Sequence, residues 1–243
     1  MILADVRSML TRDDAQFAVQ LIGHAGADAA AEADNALRAG GIDAILDDPR
    51  LFSALVHHAA SAHASARLFT YVVVRHACLA AGEDDRVLAD YTTSILLHFG
   101  LRDRAYRITA VDDDTFDTLA ELSGQMDGPD ARRAFLARQH LGDFALWQSG
   151  LFPDFVERRR YRRGGPDLDY YEEMGRRGYE AAARHRLADE YGVGALFLRA
   201  AEHFAVLRVA LNRISDSMLF PNHHTPERLM RQVRDEMRWR LAS

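Results

Sequence analysis

The feature of this sequence that most constrains its fold is an apolar seam in the last quarter of the chain. Seven apolar residues recur there three and four positions apart, as on one face of a helix: Phe197, Ala200, Phe204, Leu207, Leu211, Ile214 and Met218. The spacing predicts one helix over about 193–220, ending before Pro221. We interpret it as a central core helix rather than a dimeric coiled coil, because sustained coiled coils usually need more heptads.

The rest of the chain also carries helix signals, and no segment shows the alternation typical of strands. Thr11 and Asp14 form a capping-box pattern, and Asp48 followed by Pro49 begins another helix. The segment 68–74 (LFTYVVV) is rich in β-branched residues, but it lies among helix formers. We therefore expect it to be helical.

These signals predict an all-α fold, a single-domain multi-helix bundle of about nine to eleven helices packed around the helix 193–220. The single domain spans 1–243, and its weakest joint lies near 163–167, at a Gly-Gly-Pro break. We expect the acidic turn 112–114 to cap a helix that ends near Gly128.

Two glycines interrupt an otherwise helical segment, Gly175 and Gly178, with Tyr179 beside them. Glycine inside a helix costs about 1 kcal/mol relative to alanine. The two positions therefore indicate either close contact between helices or room for a ligand. Of these, we favour close packing against the helix 193–220.

Every basic residue of the chain is arginine, since the 30 Lys plus Arg include no lysine. This excludes mechanisms that need a Schiff-base, phosphate-loop or kinase-type lysine. The bias, together with the abundant alanine, is typical of a GC-rich bacterial genome. The net charge of −6 does not mark the chain as a general polyanion binder.

Cys78 is the only cysteine, which excludes an internal disulfide and a cysteine-based zinc site within one chain. No apolar window is long enough to predict a membrane span, and the cytoplasm is the default location. The familiar catalytic patterns are also missing, namely glycine-rich phosphate loops, G-x-S-x-G, HExxH and the Glu-x-x-His pairs of di-iron bundles. We therefore leave open whether the chain is an enzyme.

One helix face carries residues that can do chemistry. A rotation of about 100° per residue places His140, Asp143 and Trp147 on the same side of the helix that begins at Pro129. A buried His-Asp pair can orient an imidazole for proton transfer or metal binding. The alternative, which we consider more frequent, is a histidine anchored in the core by its neighbour.

Two tyrosines complete this hypothetical pocket. We expect Tyr170 and Tyr171 to reach back towards the same helix face. The catalytic candidates are then His140, Asp143 and Tyr171, and the ligand-binding candidates include Trp147, Tyr170 and Tyr171.

Four histidines lie on or beside apolar helix faces, namely His76, His98, His140 and His203. Together they could form a transition-metal centre between helices. We consider a core histidine satisfied by a backbone carbonyl more frequent for each of them, and we predict no cofactor.

The segment 158–163 holds five arginines in six positions, with Tyr161 among them. Arg158, Arg160 and Arg163 are candidates for binding phosphate or a nucleic-acid backbone. Nucleic acid is the less favoured partner because the chain is acidic overall. Salt bridges to nearby acids are an adequate alternative.

We therefore hold three hypotheses about function. The first is a cytoplasmic bacterial protein-interaction or regulatory module, with a protein partner or self-association as a homodimer, and exposed apolar surface on the last two helices would strengthen it. The second is a helical-bundle enzyme or a ligand or metal carrier with the pocket described above. The third is phosphate or nucleic-acid binding through 158–163.

Overall fold

A computed structural model describes residues 1–101, 103–109 and 111–242. Within them the chain forms fourteen α-helices, eleven of them seven residues or longer, and no strand. The predicted all-α multi-helix fold is confirmed. None of the helices in the described part of the chain combines the length and apolar character needed to cross a membrane.

The chain divides into two compact units. The first unit is Ile2–Leu101, and the second comprises the described residues after it together with Met1. The segment 163–167, predicted as the weakest joint, lies inside the second unit. That the chain is one domain stays a prediction.

The first unit contains six α-helices. They are α1 (Arg12–Gly23), α2 (Ala27–Gly40), α3 (Asp43–Leu46), α4 (Pro49–His57), α5 (Ala66–Ala80) and α6 (Arg86–Phe99). The predicted capping box of Thr11 and Asp14 begins α1, and Asp48 caps α4 with Pro49 in its first turn. The β-branched segment 68–74 lies in α5 as predicted, because its helix buries Leu68, Val72 and Val74 almost completely.

The second unit contains the other eight. They are α7 (Leu119–Gly124), α8 (Ala131–Leu151), α9 (Pro153–Arg163), α10 (Leu168–Ala183), α11 (Arg186–Glu190), α12 (Gly194–Glu202), α13 (Phe204–Ile214) and α14 (Pro226–Ala242). The acidic turn 112–114 caps none of them. Thr118 caps α7 instead, and its hydroxyl and the Glu121 carboxylate form a reciprocal capping box.

The seam 193–220 is not one helix, and this corrects the prediction. It is divided at His203 (φ −93°, ψ 10°) into α12 and α13, and it ends in a π-helical turn, Ser215–Leu219. Phe197 and Phe204 are nonetheless fully buried on the two sides of the break. The spacing of the apolar residues predicts which face is buried, and the same face remains buried on both sides of the break.

The central helix of the second unit is α8, not the segment 193–220. Fifteen of the 21 residues of α8 are buried, and α7, α10 and α13 pack around it. The glycine prediction is confirmed in part. A Cβ on Gly175 would lie 2.2 Å from the Phe204 ring, on the seam, whereas one on Gly178 would lie 2.8 Å from the Gly142 nitrogen of α8.

Candidate functional site

The predicted His140–Asp143 pair lies on the buried side of α8, with exposed fractions of 5% and 1%. Nε2 of His140 is 2.9 Å from the backbone oxygen of Ala105, and Oδ1 of Asp143 accepts a hydrogen bond from the Tyr179 hydroxyl at 2.9 Å. A carbonyl oxygen can only accept, so Nε2 carries the proton in this contact. Sequence reasoning missed both partners, although the glycine-flanked Tyr179 was a signal for one of them.

Trp147 packs in an aromatic cluster of the second unit. Its ring meets Tyr106 at 6.3 Å and Phe152 at 5.0 Å, both edge-on, and Phe144 at 5.9 Å. Edge-to-face pairs of this kind stabilise a core. This face of Trp147 is therefore used for packing.

The two tyrosines of the predicted pocket lie at the start of α10. Burial raises the pKa of Tyr171, and the charge of Arg159 opposes that shift. Tyr170 is 38% exposed. Within the described residues, the Tyr171 hydroxyl makes no hydrogen bond with His140 or Asp143. The structure thus does not join the tyrosines directly to the pair, and catalysis by these residues stays a prediction.

The four histidines do not form one ligand set. His76 and His98 belong to the first unit and His140 and His203 to the second. Across 1–101, 103–109 and 111–242, no three His, Cys, Asp or Glu side chains are grouped so as to hold a metal ion. His76 stacks on Phe52 at 4.8 Å, and burial lowers its pKa. His140 contacts a backbone oxygen and His76 packs on an aromatic ring, as expected for histidines of the core.

The arginine run divides between two environments on α9. Arg160 lies 3.9 Å from Glu157 and 3.6 Å from Asp167, and its guanidinium is 5.6 Å from the centre of the Tyr161 ring. The salt-bridge alternative therefore holds for Arg160. Arg158 and Arg163 point elsewhere, into a cleft.

That cleft has a volume of about 490 Å³. Its charged lining comes from Arg158, Arg159, Arg162, Arg163 and Asp117, and its other walls are Tyr106, Gln148 and Phe155. Sequence reasoning missed Arg159 and Arg162. Their spacing was a usable signal, because positions i, i+1, i+4 and i+5 share one side of a helix.

The helix α14 is amphipathic, but its charged face is the buried one. Arg228, Arg231 and Asp235 are 4%, 3% and 8% exposed. Arg231 donates to Asp216 at 2.7 Å, and Nε of Arg228 donates to Asp154 at 3.0 Å. These contacts attach α14 to the segments at the ends of α9 and α13.

Arg208 of α13 is the centre of this charged contact. It is 1% exposed, and it donates to Glu172 at 2.6 Å, to Asp235 at 2.7 Å and to Asn212 at 2.7 Å. Burial alone would lower the pKa of Arg208, but the hydrogen bond and charge of Asp235, with the charge of Glu172, raise it overall. Breaking such a buried pair typically costs about 3–5 kcal/mol.

The outward face of α14 is apolar. Leu229, Met230, Val233 and Met237 are 61%, 69%, 46% and 56% exposed. Their spacing places them on one side of the helix, opposite the buried charges. This inverted arrangement, with charges inside and apolar side chains outside, was not anticipated from the sequence.

Comparison with protein-family models, with curated proteins and with solved structures finds no match to this chain.

Proposed function

We propose that this chain is a cytoplasmic bacterial protein that acts by protein interaction, and that its partner is a second copy of itself. The observation that carries the proposal is the inverted polarity of α14. A helix that served only the core of a monomer would bury its apolar face. Here the ionic contacts hold the helix in place, and Leu229, Met230, Val233 and Met237 remain available to a partner.

Further exposed apolar side chains support an interaction role. Leu198 on α12 is 51% exposed, and Leu219 and Phe220, which precede α14, are 49% and 42% exposed. All three lie in the segment 193–220, which with α14 forms the C-terminal part where exposed apolar surface was expected to favour this hypothesis. Large apolar patches on a protein surface often mark an interface.

Charge placement favours a second copy as the occupant. Glu227 near the start of α14 and Arg238 near its end are both exposed and share one flank of the apolar stripe. Within its own chain Arg238 also lies 3.4 Å from Glu172 and 3.7 Å from Asp169. When two copies of α14 pack antiparallel about a two-fold axis near Val233, Glu227 of one protomer comes close to Arg238 of the other. Parallel pairing would leave Glu227 of one protomer at the opposite end of the helix pair from Arg238 of the other, so the proposed dimer is antiparallel and isologous.

The test is the molar mass in solution, measured by light scattering and sedimentation over a range of concentrations. We expect a dimer for the natural sequence. Val233→Glu should give a monomer with an unchanged helical circular dichroism spectrum, because the side chain is already 46% exposed. The matched control is Val111→Glu, since Val111 is 89% exposed and lies outside α14.

A charge exchange tests the orientation of the helices. Glu227→Arg should weaken the dimer, because antiparallel packing would then bring it close to Arg238 of the other protomer. A natural protein that stays monomeric at the highest concentration, or a Val233→Glu variant that remains dimeric, would contradict the proposal.

A further inference from the structure

The cleft on α9 concentrates positive charge that has no counterion within the protein. Arg158, Arg159, Arg162 and Arg163 form no ion pair with a carboxylate in the described part of the chain. Asp117 is the one carboxylate among the residues that line the cleft. Because successive residues of a helix are rotated by about 100°, the four arginine side chains leave α9 within an arc of about 140° around its axis. The cleft is therefore matched to a ligand with several negative charges.

An independent feature of the same cleft also indicates a ligand. The Oε1 atom of Gln148 is buried and has no hydrogen-bond partner, and the residue is only 7% exposed. Gln148 lines the cleft from α8, and the arginines line it from α9. A buried acceptor without a hydrogen-bond partner destabilises the protein. A ligand that brings an N–H or O–H donor would remove that cost.

We infer that this cleft binds a small organic polyphosphate about the size of a nucleoside diphosphate. The guanidinium groups contact the phosphates, since planar guanidinium forks match phosphate oxygens. The Gln148 carboxamide contacts a donor on the organic part, and the exposed ring of Phe155 provides an apolar wall.

The dimensions favour a small ligand over nucleic acid. A volume of about 490 Å³ lies within the range of small-molecule sites. Nucleic-acid domains instead present an extended basic surface, usually on a basic protein. This chain has a net charge of −6, and its unpaired arginines in α9 are gathered in one cleft.

Isothermal titration of the full chain with ADP and with inorganic pyrophosphate tests the inference. Both should bind, and both should bind more weakly as the salt concentration rises. Arg162→Ala should weaken each by roughly tenfold or more, which corresponds to the loss of a charge-assisted hydrogen bond. Gln148→Met should weaken ADP but leave pyrophosphate unchanged.

Arg160→Ala is the matched control, because it removes the same charge from the same helix but outside the cleft. Its affinity for both probes should stay within about twofold of the natural sequence. No binding of either probe, equal losses for the two arginine variants, or tighter binding of an RNA oligonucleotide than of ADP would each overturn the inference. The monomeric Val233→Glu variant should bind ADP normally, so the result is independent of the proposed dimer.

Discussion

Asn212 shows how one uncharged side chain can organise a charged core. Its Oδ1 accepts hydrogen bonds from Arg208 at 2.7 Å and from Arg231 at 3.1 Å. Its Nδ2 donates to the backbone oxygens of Ser149 at 2.8 Å and Gly150 at 2.7 Å. These carbonyls belong to the last turn of α8, where helix geometry provides no partner. Asn212 therefore satisfies a helix end and two buried arginines at once.

Asn212→Ala should lower the free energy of unfolding by about 2–5 kcal/mol, because it leaves buried donors and acceptors unsatisfied. Urea titration followed by tryptophan fluorescence measures this, since Trp147 belongs to the second unit. The control is Ser217→Ala, an exposed position that should change the value by less than about 0.5 kcal/mol. A loss below about 1 kcal/mol for Asn212→Ala would contradict the role given to it.

At the scale of elements, α8 and α10 approach so closely that only glycine fits at their contact. A Cβ on Gly142 would lie 2.5 Å from the Tyr179 ring. A Cβ on Gly178 would lie 2.8 Å from the Gly142 nitrogen and 2.9 Å from the Arg138 backbone oxygen. Backbone atoms cannot rotate away as a side chain can. The same close approach brings the Tyr179 hydroxyl to Asp143.

Gly178→Ala should therefore destabilise the protein by about 1–3 kcal/mol, although alanine is the better helix former. The measurement is the thermal unfolding midpoint. Gly124→Ala is the control, because nothing lies within 4 Å of its Cβ position and its φ is not positive. That variant should be neutral or slightly stabilising. If Gly178→Ala raises the midpoint, the close-contact explanation is wrong.

At the scale of the whole molecule, the arginine-only composition is matched by carboxylates with low pKa values. Burial alone would raise the pKa of Asp47, but hydrogen bonds from Arg75 and Arg86 outweigh it and hold the pKa below its usual range. The pKa of Asp112 is lowered in the same way, against the effect of burial, by a hydrogen bond from Arg133. Arginine keeps its charge throughout the ordinary pH range, so these pairs depend only on the carboxylates.

Stability should therefore fall as the solution becomes acidic. A carboxylate with a lowered pKa stabilises the fold above its unfolded value of about 4, and this contribution is lost as pH falls through the folded pKa. Asp14, Asp47, Asp48 and Asp112 act in this direction, whereas burial raises the pKa of Asp90, which acts in the opposite one. The urea midpoint should drop below about pH 4. Asp47→Asn should reduce that drop, and a midpoint that is constant or rises on acidification would contradict the assignment.

Helix boundaries could be predicted because the interactions that set them are local. Thr11 bonds the backbone three residues away, Asp48 bonds the backbone two residues away, and Gly41 ends α2 with φ +70°. Each of these signals involves only residues within one helical turn of each other. The acidic turn 112–114 caps no helix in the described part of the chain, since the Asp112 carboxylate accepts hydrogen bonds from Thr109 and Arg133, and Thr118 with Glu121 forms the reciprocal pair that begins α7.

The amino-acid sequence alone thus determined the helical class, most helix ends and the seam that contains Phe204. Only the tertiary structure decided which groups meet across the chain. Tyr179 and Asp143 are 36 residues apart, and Arg208 and Asp235 are 27 apart. The tertiary structure also turned the apolar face of α14 outwards, although an apolar stripe on a helix ordinarily predicts the buried face. Buried charges on the neighbouring helices determined which face of α14 packs inwards, because the buried Arg208 requires the Asp235 carboxylate as its counterion.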